Sequence, residues 1–297
     1  MMAGDNDSAI EAWNTVLFDK FVRFRRIVTD GFAEHGARPL RERPYSAGER
    51  VLDVGCGFGD TTLVIAEQVG SSGRAVGVDC GAGFIQLAKT ETQGLAPTRP
   101  SYFVADVQRD ELGGPYDHAF ARFGTMFFAS PLAALRNVSK ALRAGGELTM
   151  VVWRRREDNP WVYEAERAVR SIVPVVDPEA SAQVHCGPGP FSMAGADLVS
   201  DLLKAAEFTQ ISLTRTDCDV CVGRSTDEAV EFAMALGPAG EIIRLAGSEG
   251  ERLRPQVSAG LQRLFERYRR ADGSIWASSS SWAVRARRAN SAADRST

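Results

Sequence analysis

The spacing of apolar side chains changes along the chain, and each change predicts a different kind of element. In residues 9–35 aromatic and aliphatic side chains recur at helical intervals, which predicts one or two amphipathic helices. From residue 49 to residue 154 short apolar runs alternate with helical patterns, which predicts a parallel sheet with helical crossovers. The predicted strands are 49–56, 74–79, 101–106, 116–123 and 147–154, and the predicted helices between them are 61–69, 83–93 and 131–144.

This alternation ends after Trp153, where a polar turn and a further helix begin. A loop rich in glycine and proline follows at 185–192. The remaining patterns are a helix at 194–208, a strand at 208–223, two helices within 226–271 and a last strand at 274–288, which we expect to lie antiparallel at the end of the sheet. The predicted fold class is therefore α/β, with a Rossmann-like, doubly wound, seven-stranded and mostly parallel sheet, an antiparallel last strand and a helical lid.

The same pattern divides the chain into five parts. We expect an N-terminal helical cap at 1–45, a ligand-binding core at 46–155 and a lid or substrate loop at 156–193. The C-terminal part of the sheet is expected at 194–288, with a helical insertion at 226–271, and a disordered tail at 289–297.

The composition narrows the classes of partner. The 297 residues carry 35 basic and 38 acidic side chains, so the net charge of -3 offers no electrostatic footprint for nucleic acid or an anionic membrane. The N-terminus lacks the basic start and apolar run of a signal peptide, and no apolar run of about 18 residues occurs. We therefore expect a cytoplasmic protein with a small-molecule partner, and the sequence leaves a homodimer open.

Cysteine and metal-ligand patterns add little to this picture. The five cysteines have no disulfide-framework spacing, so reduced thiols are expected. Cys218 and Cys221 form a C-x-x-C, but they lie in a strand pattern that sends residues three apart to opposite faces. No His, Asp and Glu cluster has metal-ligand spacing, so no metal is expected.

The stretch VLDVGCGFGD at 51–60 runs from an apolar strand into alternate glycines and then a helix. Such a loop exposes backbone N–H groups to a nucleotide-like cofactor. The dinucleotide fingerprint requires a glycine where Asp60 stands, and the carboxylate of Asp53 would repel a pyrophosphate. A cofactor with an ammonium and a sulfonium centre would instead be attracted by this acid.

Two more acids end the next predicted strands. Asp79 ends the second strand, where a carboxylate accepts ribose hydroxyls in nucleotide-binding sheets. Asp106 ends the third, where an adenine amino group would find an acceptor. The structural alternatives are a tight turn for the glycines and a helix cap for Asp79.

Four motifs in order carry a family resemblance. VLDVGCGFGD, GVD at 77–79, VAD at 104–106 and ALRAGGEL at 141–148 resemble the motif series of class I S-adenosylmethionine-dependent methyltransferases. The chain is most similar to the small-molecule subgroup that contains the quinone-biosynthesis C-methyltransferases. The resemblance implies S-adenosyl-L-methionine as the cofactor and S-adenosyl-L-homocysteine as the product.

The resemblance also implies which residues bind the cofactor and substrate. The methionyl end would be held by Asp53, Gly55, Cys56 and Gly57, and the ribose by Asp79 and Cys80. The adenine would be held by Phe84, Ala105, Asp106 and Val107. The substrate and the sulfonium would lie near Arg122, Phe123 and Thr125.

Methylation of a hydroxyl requires removal of its proton, which directs attention to the three histidines. His35 lies in a polar segment and is expected at the surface, and His118 lies inside a strand and is expected in the core. His185, in the glycine and proline loop, is the candidate base, and Arg122 is a second catalytic candidate.

Aromatic residues outside the motifs are candidates for the substrate pocket. Trp13, Trp153, Trp161 and Phe191 are assigned to substrate binding, although each could serve packing alone. The apolar lid helices favour an apolar or aromatic small molecule. The accepting atom, which could be oxygen, carbon, nitrogen or sulfur, stays open, and the alternative functions are an NAD(P)-dependent oxidoreductase and a non-catalytic S-adenosylmethionine-binding protein.

Overall fold

The computed structural model describes residues 4–95, 100–174 and 188–290. Its centre is one seven-stranded sheet with the order β3-β2-β1-β4-β5-β7-β6. The pairs among β1 to β5 are parallel, and β7 is antiparallel to both of its neighbours. The strands are β1 Arg50–Val54, β2 Arg74–Asp79, β3 Ser101–Val104, β4 Tyr116–Arg122, β5 Leu142–Trp153, β6 Phe208–Gly223 and β7 Ile275–Arg288.

The predicted fold class is confirmed, and the position predicted for the last strand is wrong. β7 is antiparallel as expected, but it lies between β5 and β6, so β6 forms the edge of the sheet. Strand periodicity reveals that a segment is extended and gives no information about its neighbours. The helix predicted at 131–144 ends at Ala141, because β5 already begins at Leu142.

The central strands are buried on both faces, as parallel strands under helices are. In β1, Val51 packs in one apolar cluster with Phe120 and Val151, whereas the next residue, Leu52, belongs to the opposite cluster with Ala119. Successive side chains of a strand point to opposite faces, so these clusters are the two layers of core on either side of the sheet.

Helices cover the sheet and extend beyond its ends. Three precede β1, and α9 to α11 form the insertion between β6 and β7, where three helices occur instead of the two predicted. α10 and α11 both pack against α7. The helices are α1 Gly4–Asn14, α2 Val16–Arg23, α3 Ala33–Glu42, α4 Asp60–Val69, α5 Ala82–Glu91, α6 Pro131–Ala141, α7 Pro160–Arg170, α8 Ala196–Ala205, α9 Thr226–Ala235, α10 Gly237–Leu245 and α11 Gly247–Phe265.

The strand order reverses between β1 and β4, and the crevice at such a reversal is where open α/β sheets bind ligands. Gly55 and Gly124 follow the two strands there, and a Cβ on Gly55 would lie 3.2 Å from the Gly124 Cα. Among the described residues, no helix is long and apolar enough to cross a membrane.

Candidate functional site

A cavity of about 860 Å³ opens at the carboxyl ends of the parallel strands. It is bounded by the strand ends, the N-terminal helices and the lid helices α7, α9 and α10. Most of the residues predicted from the sequence to bind a ligand line this one space. They are Trp13, Asp53, Gly55, Cys56, Gly57, Asp79, Cys80, Phe84, Ala105, Asp106, Val107, Arg122, Phe123, Trp153, Trp161 and Phe191.

The glycine loop between β1 and α4 presents bare backbone to the cavity. Gly57 has a φ of 53°, which favours glycine, and a Cβ added there would meet no atom within 4 Å. The space beside Gly57 is therefore open toward the cavity and is not filled by packing. This is the arrangement that a ligand close to the backbone requires.

Asp79 holds this loop from the end of β2. Its carboxylate accepts hydrogen bonds from the backbone N–H of Gly57 at 3.0 Å and of Gly81 at 2.8 Å. Burial raises the pKa of the Asp79 carboxyl above its usual value, while these two bonds oppose the shift. The neighbouring Cys80 thiol is partly buried, and this desolvation raises its pKa and keeps it protonated at neutral pH.

Asp53 lies almost wholly buried at the end of β1 and lines the same cavity. The Thr62 hydroxyl donates to its carboxylate at 2.6 Å. Burial, together with the nearby carboxylates Asp60 and Asp79, raises the pKa of Asp53 to about 7, although the Thr62 hydrogen bond and the Arg122 charge oppose the shift. A cation bound in the cavity would relieve this cost of ionisation.

Asp106 follows β3 and is covered by the first helix. The Asn6 carboxamide of α1 donates to Asp106 and accepts from the side-chain amide of Gln108. Farther along α1, the Asn14 amide nitrogen donates to the Cys80 carbonyl oxygen at 3.2 Å. Helix α1 is therefore hydrogen-bonded to the ends of both β2 and β3, where it covers one side of the cavity.

Arg122 ends β4 and makes an ion pair with Asp60, the first residue of α4. The Arg122 guanidinium also donates to the Thr29 carbonyl oxygen at 3.5 Å, which connects it to the N-terminal helices. In the sequence, Asp60 stands out only as a departure from the dinucleotide fingerprint. Its position directly after the glycine loop was the signal that could have placed it in the site.

The far half of the cavity is aromatic. The ring of Phe123 stacks on Trp153 with centroids 4.0 Å apart, and Trp161 lies 6.1 Å from Phe232 with the planes 21° apart. Phe32 contacts both tryptophans edge-on or tilted, at 5.4 Å. The Trp161 indole Nε1 is buried and has no hydrogen-bond partner among the described residues. These rings form an apolar chamber beside the glycine loop and the carboxylates at the strand ends.

Two residues singled out in the sequence lie away from the cavity, and a third is not among the described residues. Within the described part of the chain, Thr125 is buried and does not line the cavity. The candidate base His185 lies outside the described residues. The prediction that His35 is exposed is wrong, because its ring is fully buried between Ser279 and Ser281 of β7.

His118 is mostly buried in β4, where its Nε2 lies 3.1 Å from a carboxylate oxygen of Glu49, away from the cavity-lining residues.

Four of the cysteines, Cys56, Cys80, Cys218 and Cys221, are free thiols. Among the residues that the structure describes, no three His, Cys, Asp or Glu side chains form a metal-binding group.

Comparison with known proteins agrees with this geometry. Residues 51–146 match the family described as "Methyltransferase domain". This segment contains the glycine loop and the strands that carry Asp53, Asp79 and Asp106.

Two curated relatives are similar over the same part of the chain. Aklanonic acid methyltransferase DauC of Streptomyces sp. strain C5 is 30% identical over 146 residues, which is 48% of this chain and 66% of that protein. Demethylmenaquinone methyltransferase of Staphylococcus saprophyticus is 26% identical over 135 residues, which is 43% of this chain and 54% of that protein. The matches thus span between half and two thirds of these relatives' own length.

A solved structure extends the similarity of fold to most of the chain. Phosphoethanolamine N-methyltransferase 2 of Haemonchus contortus, in complex with S-adenosyl-L-methionine, superposes with a TM-score of 0.57. The two sequences are 15% identical, and the superposition covers 95% of this chain and 60% of that one.

Proposed function

We propose that this chain, whose residues 51–146 match a methyltransferase domain family, is a class I S-adenosylmethionine-dependent enzyme that methylates a small apolar or aromatic molecule. The family match and the two relatives confirm the resemblance drawn from the sequence motifs. The observation that carries the proposed activity is the convergence of three carboxylates and an open glycine loop on one cavity.

The residues present fit S-adenosyl-L-methionine in charge and in shape. The open backbone at Gly57 and the buried carboxylate of Asp53 suit the cationic methionyl end. We assign Asp79 to the ribose hydroxyls and Asp106 with Val107 to the adenine edge, since all three line the cavity. Arg122 can bind the methionyl carboxylate, since its guanidinium reaches the same space.

When bound, this cofactor supplies a methyl group on a positively charged sulfur, and an in-line displacement by the acceptor leaves a neutral thioether. The protein's contribution is alignment and exclusion of water. Phe123, Trp153 and Phe232 wall the space beyond the glycine loop with apolar surface, which suits an apolar or aromatic acceptor. A proton acceptor at His185 and a homodimer both stay predictions.

Calorimetry with S-adenosyl-L-homocysteine and with NADH tests the cofactor assignment. We expect the purified protein to bind S-adenosyl-L-homocysteine and to give no binding heat with NADH. Asp79→Ala should weaken the binding of S-adenosyl-L-homocysteine by roughly 1–3 kcal/mol, because charged hydrogen-bond acceptors are lost. Asp201→Ala, on the exposed face of α8 and outside the cavity, is the matched control and should bind as the wild type does.

Binding of NADH with no binding of S-adenosyl-L-homocysteine would favour the oxidoreductase alternative. Unchanged affinity in Asp79→Ala would reject the ribose assignment alone. Turnover of methyl-labelled cofactor with an acceptor separates the enzyme from a non-catalytic binding protein.

A further inference from the structure

The charged residues that line the cavity divide into two groups of opposite character. The half at the strand ends, which we assign to the cofactor, is rich in carboxylates, as described above. The other half, called the lid half here, is formed by α7, α9, α10 and the residues just before α7. It carries three arginines and two glutamates, namely Arg156, Arg170 and Arg244 with Glu166 and Glu241. Among the described lining residues, the lid half therefore has an excess of positive charge, which the cationic cofactor does not explain.

The centre of this group is the carboxylate of Glu166 between two guanidinium groups. Arg156 Nη1 lies 2.8 Å and 2.9 Å from the two carboxylate oxygens of Glu166. Arg170 Nε donates to Glu166 Oε1 at 2.9 Å. Only 5% of the Glu166 side chain is exposed, whereas 45% of Arg156 and 44% of Arg170 are exposed. Among the described residues, Glu166 is the carboxylate that pairs with both Arg156 and Arg170, so these three side chains together carry a net positive charge.

Helix α7 connects this charge to the aromatic chamber. One face of this helix lines the cavity. It consists of two rows of residues spaced four apart, Trp161 with Ala165, and Val162 with Glu166 and Arg170. At 1.5 Å per residue, Trp161 and Arg170 are separated by about 13 Å along the axis. This length suits a planar two-ring molecule with a charged substituent.

The chamber contains an unsatisfied donor. The Trp161 indole N–H is buried without a partner among the described residues, and a buried donor without an acceptor costs free energy. An oxygen atom on a bound molecule would satisfy it. This is independent of the charge and also favours an oxygen-bearing ligand.

We propose that the lid half of the cavity binds a planar aromatic carboxylate, with its rings against Trp161 and Phe232 and its anionic group at the Arg156, Glu166 and Arg170 cluster. That this molecule is the methyl acceptor rests on the proposed function. The preference for an anion is a property of the cavity itself and can be measured separately.

The probes are 2-naphthoate and 2-naphthamide, which share their rings and differ in charge. In calorimetric titrations with S-adenosyl-L-homocysteine present, we expect the wild type to bind the carboxylate about fivefold more tightly than the amide, because the guanidinium groups are half-exposed. Arg170→Gln should remove most of this preference. Glu166→Gln, which unmasks both guanidinium groups, should increase it.

Arg167→Gln is the matched control. Arg167 lies on the same helix and carries the same charge, but it packs over Tyr163 and is not among the described residues that line the cavity. We expect it to keep the wild-type preference. Near-ultraviolet circular dichroism of each variant verifies that the fold is retained.

Equal affinities for the two probes, binding of neither, or the same loss of preference in Arg167→Gln and Arg170→Gln would each overturn the proposal. Failure of S-adenosyl-L-homocysteine to bind would instead reject the proposed function. The two naphthalene titrations would then be repeated without it and would still report the charge preference of the lid half.

Discussion

Single carboxylates could be placed from the sequence because strand ends and glycines are local signals. Asp53 and Asp79 each follow an apolar run, and the structure puts both at the cavity. The contact of Asn6 with Asp106 spans 100 residues, and no feature of α1 alone indicates it. His35 looked exposed for the same reason, since the strand that buries it lies 244 residues farther along the chain.

The first residue-scale prediction concerns the proton on Asp53. Because its pKa is about 7, this carboxyl is protonated in roughly half of the molecules at pH 7. A cation bound nearby favours the ionised form, so binding of S-adenosyl-L-methionine at pH 7 should release up to about half a proton. Titrations in phosphate and in Tris should therefore give different heats. Asp53→Asn should abolish the difference, and equal wild-type heats in the two buffers would contradict the assignment.

The second concerns His35, whose ring is held by two serines. Burial lowers the pKa of His35 from 6.5 to about 4, so the imidazole is neutral at pH 7. Ser279 Oγ donates to the Cys218 carbonyl oxygen at 2.7 Å and therefore accepts from His35 Nε2. In the neutral ring, Nδ1 then accepts from Ser281.

This depressed pKa makes stability depend on pH. Above pH 6.5 the contribution of His35 to the free energy of unfolding is fully present. Below pH 6.5 the histidine binds a proton in the unfolded chain but not in the folded one, so roughly 3 kcal/mol of this free energy is lost by pH 4. Asp53 acts in the opposite direction, because its raised pKa costs stability as pH rises toward 7. Urea unfolding of wild type and His35→Gln at several pH values isolates the histidine. Parallel profiles for the two proteins would rule out this role.

At the scale of elements, α3 packs against the end of β4 through a glycine. A Cβ on Gly36 would lie 2.5 Å from Arg122 Cδ, and this arginine is fixed by its ion pair with Asp60. The helical pattern recognised in the sequence covers residues 9–35, so it ends before Gly36 and most of α3. The contact with Arg122 could not be predicted either, because it joins segments far apart in sequence.

Gly36→Ala should therefore displace Arg122 and destabilise the protein by roughly 1–3 kcal/mol, with weaker binding of S-adenosyl-L-homocysteine. The control is Gly260→Ala in α11, where the new Cβ would lie 3.4 Å from the Ile172 Cδ1 atom. In a helix interior this change should be neutral or stabilise by about 0.5–1 kcal/mol. Urea unfolding and calorimetry measure both effects. Similar results for the two variants would show that contact with Arg122 does not matter.

For the whole molecule, the sequence was sufficient for the fold class and for the motif residues that gather at the carboxyl ends of the strands. Both depend on short motifs in a fixed order, and the cavity gathers most of the residues they contain. The lid half was less predictable, because α7, α9 and α10 come from distant segments and contribute one face each. Its charged cluster could not be inferred, since Arg156 and Glu166 belong to an ordinary polar pattern.

The position of β7 gives a prediction at this scale. β7 separates β5 from β6 and hydrogen-bonds to both, so a chain of residues 1–274 leaves β6 without a partner and one edge of β5 unpaired. We expect this fragment to lack a cooperative unfolding transition. A synthetic peptide of residues 275–288 should restore it, and a scrambled peptide should not. Cooperative unfolding of the fragment alone would show that the sheet does not need β7.

The late position of β7 in the chain also has a consequence during translation. The 16 residues of β6 leave the ribosome well before their partner exists. At about 5–20 residues per second, several seconds pass before residue 288 has been added. During that interval a nascent protein exposes an open sheet edge to chaperones and to neighbouring chains. Substitutions in the final strand should therefore reduce the yield of soluble protein during expression more than the specific activity of the molecules that mature.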